Sequence, residues 1–342
     1  MALRWVDGFE SYSNLISFLQ FRYSSVIAPS MSFVPGRAIG NALSFNGTSL
    51  VTPSFANQAT WTVGFAFQNA SLGASNVNMP VLNIRDATTA QLTLAYNPST
   101  RVFALLRGGT LLGTGTKVTT VGAWYYVEIK GFVDPTLGTV TVKVNTVSDI
   151  TFGPGNTQVS ANNFANNIEF RGPQGIGLGG TYFIDDLYIL DSTGGLNNDF
   201  LGDMKVEGIQ VLDAGFYAQW TPNVLQMPNF QSVQVLNDGL FNESNTVAQK
   251  DAFITSKLNR ITGSIAAVQA VYWARNTDST VHSINSLARI AGVDYPSAAA
   301  ISITDTAFKA YQNMWEQDPS TSAAWANPAA VDAAQWGYNL NS

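Results

Sequence analysis

Few residues in this chain have the types and spacing that chemistry needs. Gly175, Gly177 and Gly180 spell G-x-G-x-x-G, which cradles phosphate when it lies between a strand and a helix N-terminus. Here Thr181–Leu190 follows, a strand pattern, so a glycine turn at a sheet edge is expected. Asp185 and Asp186 are adjacent carboxylates, and on an extended strand they should point to opposite faces. His282 is the one histidine. Any Ser–His–Asp triad would have to use it, and no G-x-S-x-G elbow accompanies it. A multi-histidine metal site within one chain is excluded. Trp124, Tyr125 and Tyr126 are consecutive, so a strand must send some to each face. Such rings fill sandwich cores or interfaces, or stack on sugars. Trp315, Trp325 and Trp336 sit near polar stretches and are expected to form an assembly interface.

The elements that must position these residues are strands. Trp124–Phe132 reads as one strand, and Asp134, Pro135 and Gly138 supply turn chemistry. Thr139–Val144 then alternates with a period of two. Trp61–Phe67 alternates cleanly, with Val63, Phe65 and Phe67 on one face. Arg4–Val6, Ala38–Phe45, Val81–Arg85, Leu92–Tyr96, Val102–Arg107, Phe164–Arg171 and Tyr182–Leu190 complete a series at short spacing, with Asn46-Gly47 read as a tight hairpin turn. Many short strands at this spacing indicate a sandwich. Further on, Leu201–Val211, Ile261–Arg275, Val281–Val293 and Ala307–Gln317 read as strands, and Ala218–Val233 as an irregular connector. Asn327-Pro328 supplies an N-cap and a proline at the first helical position. A helix over Ala329–Trp336 is expected, with Gly337 as its terminating glycine.

Composition narrows the function classes. The chain has 342 residues, room for two cores. Charged residues are only 12% against 46% hydrophobic, so surplus apolar surface is expected to be buried against other subunits. A net charge of −6 disfavours sequence-independent nucleic-acid binding. With no cysteine there is no disulfide framework and no thiolate chemistry. No signal peptide and no stretch of membrane-spanning length is apparent.

PGRAIGNALSFNG at Pro35–Gly47, TWTVGFAF at Thr60–Phe67, GAWYYVEIKG with GTVTVKVN, and FIDDLYILD at Phe183–Asp191 together resemble a laminin-G-like domain of the concanavalin A-like lectin/glucanase superfamily, over roughly the first 195 residues. The resemblance implies an N-terminal jelly-roll sandwich of two antiparallel sheets. It also implies that Asp185, with Asp7 and Glu10 of the opening strand, can hold a structural calcium ion, since hard oxygen ligands suit Ca²⁺. The bland alternative is that Asp185 bonds loop amides and Asp186 is solvated. Glucanase chemistry needs two carboxylates flanking a bond, and Glu10, Glu128, Glu169, Glu207, Glu243 and Glu316 are scattered. The tail is similar to C-terminal regions of tailed-phage and prophage virion proteins, on TVAQKDAF at Thr246–Phe253, YQNMWEQDPSTSAAW at Tyr311–Trp325 and NPAAVDAAQWGYNL at Asn327–Leu340.

The expectation is therefore an all-β chain: a sandwich over 1–195, a connector over 196–250, and a smaller β-rich assembly domain over 251–342 with a short helix. The expected role is a structural, non-enzymatic part of a tailed-phage virion (decoration, collar, tail or fibre-associated), made in the host cytoplasm. Its partners would be other virion proteins and copies of itself, with no nucleic acid, no membrane and no cofactor beyond that calcium. The alternative is a module binding host surface polysaccharide, or further off a glucanase-like hydrolase.

Overall fold

The computed structural model describes every residue except 1, 13–15, 39, 72, 74, 174–179 and 279. The chain is all-β. It forms two compact units, Met1–Val206 and Glu207–Ser342. Among the described residues no helix is long and apolar enough to cross a membrane.

The first unit is a sandwich of two antiparallel sheets. The first sheet runs Val147–Gly155, Gly138–Val144, Trp124–Phe132, Thr60–Ser71, Thr181–Asp191, Asn41–Phe45 and Ser32–Pro35, with Leu3–Asp7 also against Thr181–Asp191. The second runs Thr110–Thr114, Val102–Arg107, Thr89–Asn97, Met79–Asp86, Asn167–Arg171, Ser49–Val51 and Ser25–Ile27. Asn46-Gly47 is not a hairpin turn. It carries the chain from the first sheet to the second, and its glycine amide bonds the Pro173 carbonyl at 2.8 Å.

The core between the sheets is aromatic. The Phe67 ring lies 5.2 Å from each of Tyr96, Phe103 and Tyr182, and all four are fully buried. Rings at this separation add stabilisation beyond their buried area. Val63, Phe65, Val127 and Ile129 join the same cluster. Alternation then sends Thr62, Gly64, Ala66, Gln68, Trp124, Tyr126, Glu128 and Lys130 to the outer face of the first sheet.

The second unit is built on a sheet ordered Val211–Ala218, Lys250–Thr255, Gln335–Leu340, His282–Ile290 and Val293–Pro296, with Ile301–Ile303 also on His282–Ile290. A separate ribbon pairs Val268–Ala274 with Lys309–Trp315. Asn327 caps a helix as expected, its side chain accepting from the Ala330 amide, but the helix ends at Asp332. Trp336 and Gly337 belong to a strand, paired with Phe253 and Ala252. Gly337 is there because a β-carbon would strike the Asp251 carbonyl, not to terminate a helix. The strand expected over Leu201–Val211 starts only at Val211; residues 201–210 hold no regular structure.

Candidate functional site

The strand pairing of the first sheet sets its outer face in rows. Trp124, Gln68 and Phe183 stand side by side, then Tyr126, Ala66 and Asp185, then Glu128, Gly64 and Tyr188, then Lys130, Thr62 and Leu190. Trp124 and Phe183 are half-buried, their rings 6.5 Å apart. Tyr125, between two outward neighbours, turns inward and packs against the core.

Below that open row the face becomes crowded and charged. The Tyr126 and Tyr188 rings stack at 6.4 Å, and the Arg37 guanidinium lies 5.2 Å from the Tyr126 ring centre. Tyr188 fills the space where a Gly64 side chain would begin. Its hydroxyl donates to Glu128 Oε1 at 2.5 Å. Burial drives the hydroxyls of Tyr126 and Tyr188 well above the usual tyrosine range. Glu128 is 1% exposed, and its Oε2 has no protein hydrogen-bond partner.

Residues 199–206 cross this part of the face as a strap. Lys130 Nζ donates to Asp199 at 3.0 Å, and Lys143 Nζ lies 3.9 Å from the Phe200 ring centre. The Leu201 amide donates to the Tyr188 hydroxyl at 3.2 Å, and the Gly202 amide to Glu128 Oε1 at 2.8 Å. Arg37 donates to Asp203 and to the Met204 carbonyl, each at 2.5 Å.

The acidic residues singled out in the sequence separate into two groups. Leu3–Asp7 does pair with the last strand of the sandwich, Asp7 opposite Leu187. Asp7, however, is saturated: its Oδ1 accepts from the Phe9 amide, its Oδ2 from the hydroxyls of Tyr12 and Tyr23, and Arg22 pairs with it at 3.0 Å. Glu10 lodges against Gly8 and Gly40, where side chains would collide with its carboxyl. Desolvation, then the negative charge of Asp185, pushes the Glu10 carboxyl up to about 9. Asp185 and Asp186 do not oppose each other across the sheet. The pairing slips between Asp185 and Tyr188, Asp186 adopts a φ of 50°, and both carboxylates reach Arg37, Asp185 at its amide and Asp186 at its Nε. Burial raises both. Asp7, Glu10 and Asp185 thus fail the test of a calcium site as a set, because a cation would have to displace Arg22 from Asp7. Among the described residues no group of three His, Cys, Asp or Glu side chains is placed to hold a metal ion.

Trp315, Trp325 and Trp336 are corrected more firmly. They are 8%, 2% and 8% exposed, and Trp336 lies 5.2 Å from Trp315 and 6.0 Å from Trp325, ring centre to ring centre. With Ile265, Ala288 and Val331 they are the core of the second unit. Trp325 Nε1 donates to the Trp315 carbonyl at 3.0 Å. Rings spent in this way offer no surface to a neighbour.

His282 bonds Asp278 and the Ser342 carbonyl at the start of its strand, where it pairs with Ile303. Gly175 and Gly177 lie outside the described residues, while Thr181–Asp191 after them is indeed a strand. Sequence reading missed Arg37, Tyr188 and the strap, and set Glu128 aside among scattered glutamates. The alternation of Trp124–Phe132 was the one signal that could have found Glu128.

No protein-family model matches the chain, and no curated protein matches it significantly. Solved structures do. The cellulose-induced protein Cip1 is 16% identical with a TM-score of 0.41, over 56% of this chain and 98% of that one. Alginate lyase Aly36B is 11% identical with a TM-score of 0.40, over 56% and 96%. Domain 4 of an extracellular arabinanase from Geobacillus stearothermophilus, in complex with arabinotriose, is 14% identical with a TM-score of 0.34, over 48% and 76%. The likeness is one of sandwich architecture and gives no residue a role. The expectation of a chain without enzymatic activity is not upheld by these matches, which include alginate lyases.

Proposed function

We propose that the chain binds carbohydrate on the outer face of its first sheet, with Trp124, Gln68 and Phe183 as the open contact row. The observation that carries this is the row itself: two half-buried rings held 6.5 Å apart by strand pairing, with an amide side chain between them. A sugar ring has apolar C–H faces and a polar rim. It is matched by aromatic faces beside hydrogen-bonding groups on a rigid support.

The assembly interface expected at Trp315, Trp325 and Trp336 lends a virion role no support, because those rings are interior.

Titration calorimetry with alginate tetrasaccharide, arabinotriose and cellotetraose tests the proposal, each mixture also being assayed for cleavage of the sugar. Trp124→Ala should weaken binding of a responding sugar about tenfold, close to 1.4 kcal/mol. Silence with all three, or unchanged affinity in the variant, would overturn the reading.

A further inference from the structure

The strap over residues 199–206 and the face beneath it fit each other as a ligand fits a site. Three cations of the sheet region meet strap groups: Lys130 at Asp199, Arg37 at Asp203, and Lys143 at the Phe200 ring. The strap also presents three amides: that of Gly202 donates to Glu128, that of Leu201 to the Tyr188 hydroxyl, and that of Val206 to Asp186 at 2.7 Å. Two carboxylates, a ring face and a set of donors are what an acidic oligosaccharide carries, in its uronate groups, its C–H faces and its hydroxyls.

The strap is also built to leave. It forms no ladder with any strand, and the bonds that hold it end on side chains of the face rather than on strand backbone. Asp199 and Asp203 have side chains 63% and 49% exposed, in the range where ion pairs contribute little. The segment leading into it contains Gly194, at a φ of 84°, and Gly195, whose missing side chain would meet open space.

What stays behind is unsatisfied. Glu128 Oε2 is buried with no protein partner, and a buried acceptor left without a donor is costly. Lifting the strap exposes that oxygen together with the freed nitrogens of Arg37 and Lys130. A sugar hydroxyl and a uronate carboxylate would satisfy them.

We propose that residues 199–206 occupy, in this conformation, a binding site for a carboxylate-bearing saccharide, and that ligand and strap compete for it. The site rests on the carbohydrate reading above and extends it from the open row to Lys130, with acidic sugars as the class preferred.

Competition fixes the outcome of loosening the strap. Apparent affinity scales with the fraction of molecules in the binding-competent state, so weakening two surface ion pairs should tighten binding about fivefold. The experiment compares the full chain with the double variant Asp199→Ala, Asp203→Ala, titrated with alginate tetrasaccharide and with neutral cellotetraose. The acidic sugar should bind at least tenfold tighter than the neutral one, tighten about fivefold in the variant, and weaken as salt rises. In the unaltered chain it should also speed tryptic cleavage after Lys205, which the strap carries exposed. Equal affinity for the two sugars, or an acidic sugar that slows cleavage at Lys205, would overturn the proposal. Binding that Trp124→Ala abolishes but the strap variant leaves unchanged would sink the strap site alone. No binding by any form would sink the carbohydrate reading and this site with it.

Discussion

Replacing Glu10 with glutamine should stabilise the first unit at neutral pH. The folded carboxyl is pushed up to about 9 from an ordinary value of 4.5, first by desolvation and next by the charge of Asp185. Folding therefore takes up a proton. A group whose folded value lies above its unfolded one contributes stability below the unfolded value, and loses it as pH rises towards the folded value. The window here is about pH 4.5 to 9. At pH 7 the unfolded side chain is ionised and the folded one is not. Holding that proton at pH 7 costs about 3.5 kcal/mol at most, at roughly 1.4 kcal/mol per pH unit. An amide of the same shape carries no such cost. Glu10→Gln should raise the unfolding free energy by about 1–3 kcal/mol at pH 7–8, by almost nothing at pH 4, and flatten the decline between. The assay is urea unfolding read by pulsed hydrogen exchange in peptides of the first unit, at pH 4, 6 and 8, with EDTA and again with calcium. A variant less stable than the parent at every pH would refute the reasoning. So would calcium stabilising the parent strongly at pH 7, because a cation between Glu10 and Asp185 would keep both carboxylates ionised and reverse the slope.

Two further outcomes follow from the second unit. Trp325→Ala should cost about 3–5 kcal/mol by leaving a cavity between Trp336 and Val331; a loss of self-association with unchanged thermal stability would instead restore the interface reading. Gly337→Ala should lower the melting temperature of the second unit by several degrees, since its β-carbon meets the Asp251 carbonyl across a paired strand; an unchanged melting curve would contradict that close approach.

The sandwich was legible where burial on one face imposes a period of two. Trp61–Phe67 alternates because Val63, Phe65 and Phe67 enter the core, and the hairpin after Trp124 shows the same logic. Local rules also found the Asn327 cap. They failed at Trp336 and Gly337, where pairing with Phe253 and Ala252 overrides helix propensity. The three tryptophans were misread for a related reason: polar sequence neighbours suggested a surface, but burial is decided by residues far away in the chain, such as Ile265 and Ala288. Asp185 and Asp186 were set on opposite faces by assuming an unbroken strand, and the slip in pairing undid that. The strap left no trace because its contacts follow no period. It is held by Arg37, Lys130 and Tyr188, from three separate stretches of sequence.

The most direct measurement of the central claim is a hydrogen-exchange difference map of the full chain with a saturating oligosaccharide identified by calorimetry. Protection is expected in Thr60–Ser71, Trp124–Phe132 and Thr181–Asp191, the three strands that carry the rows of the outer face. Protection confined to the second sheet, or to residues beyond Val206, would contradict it.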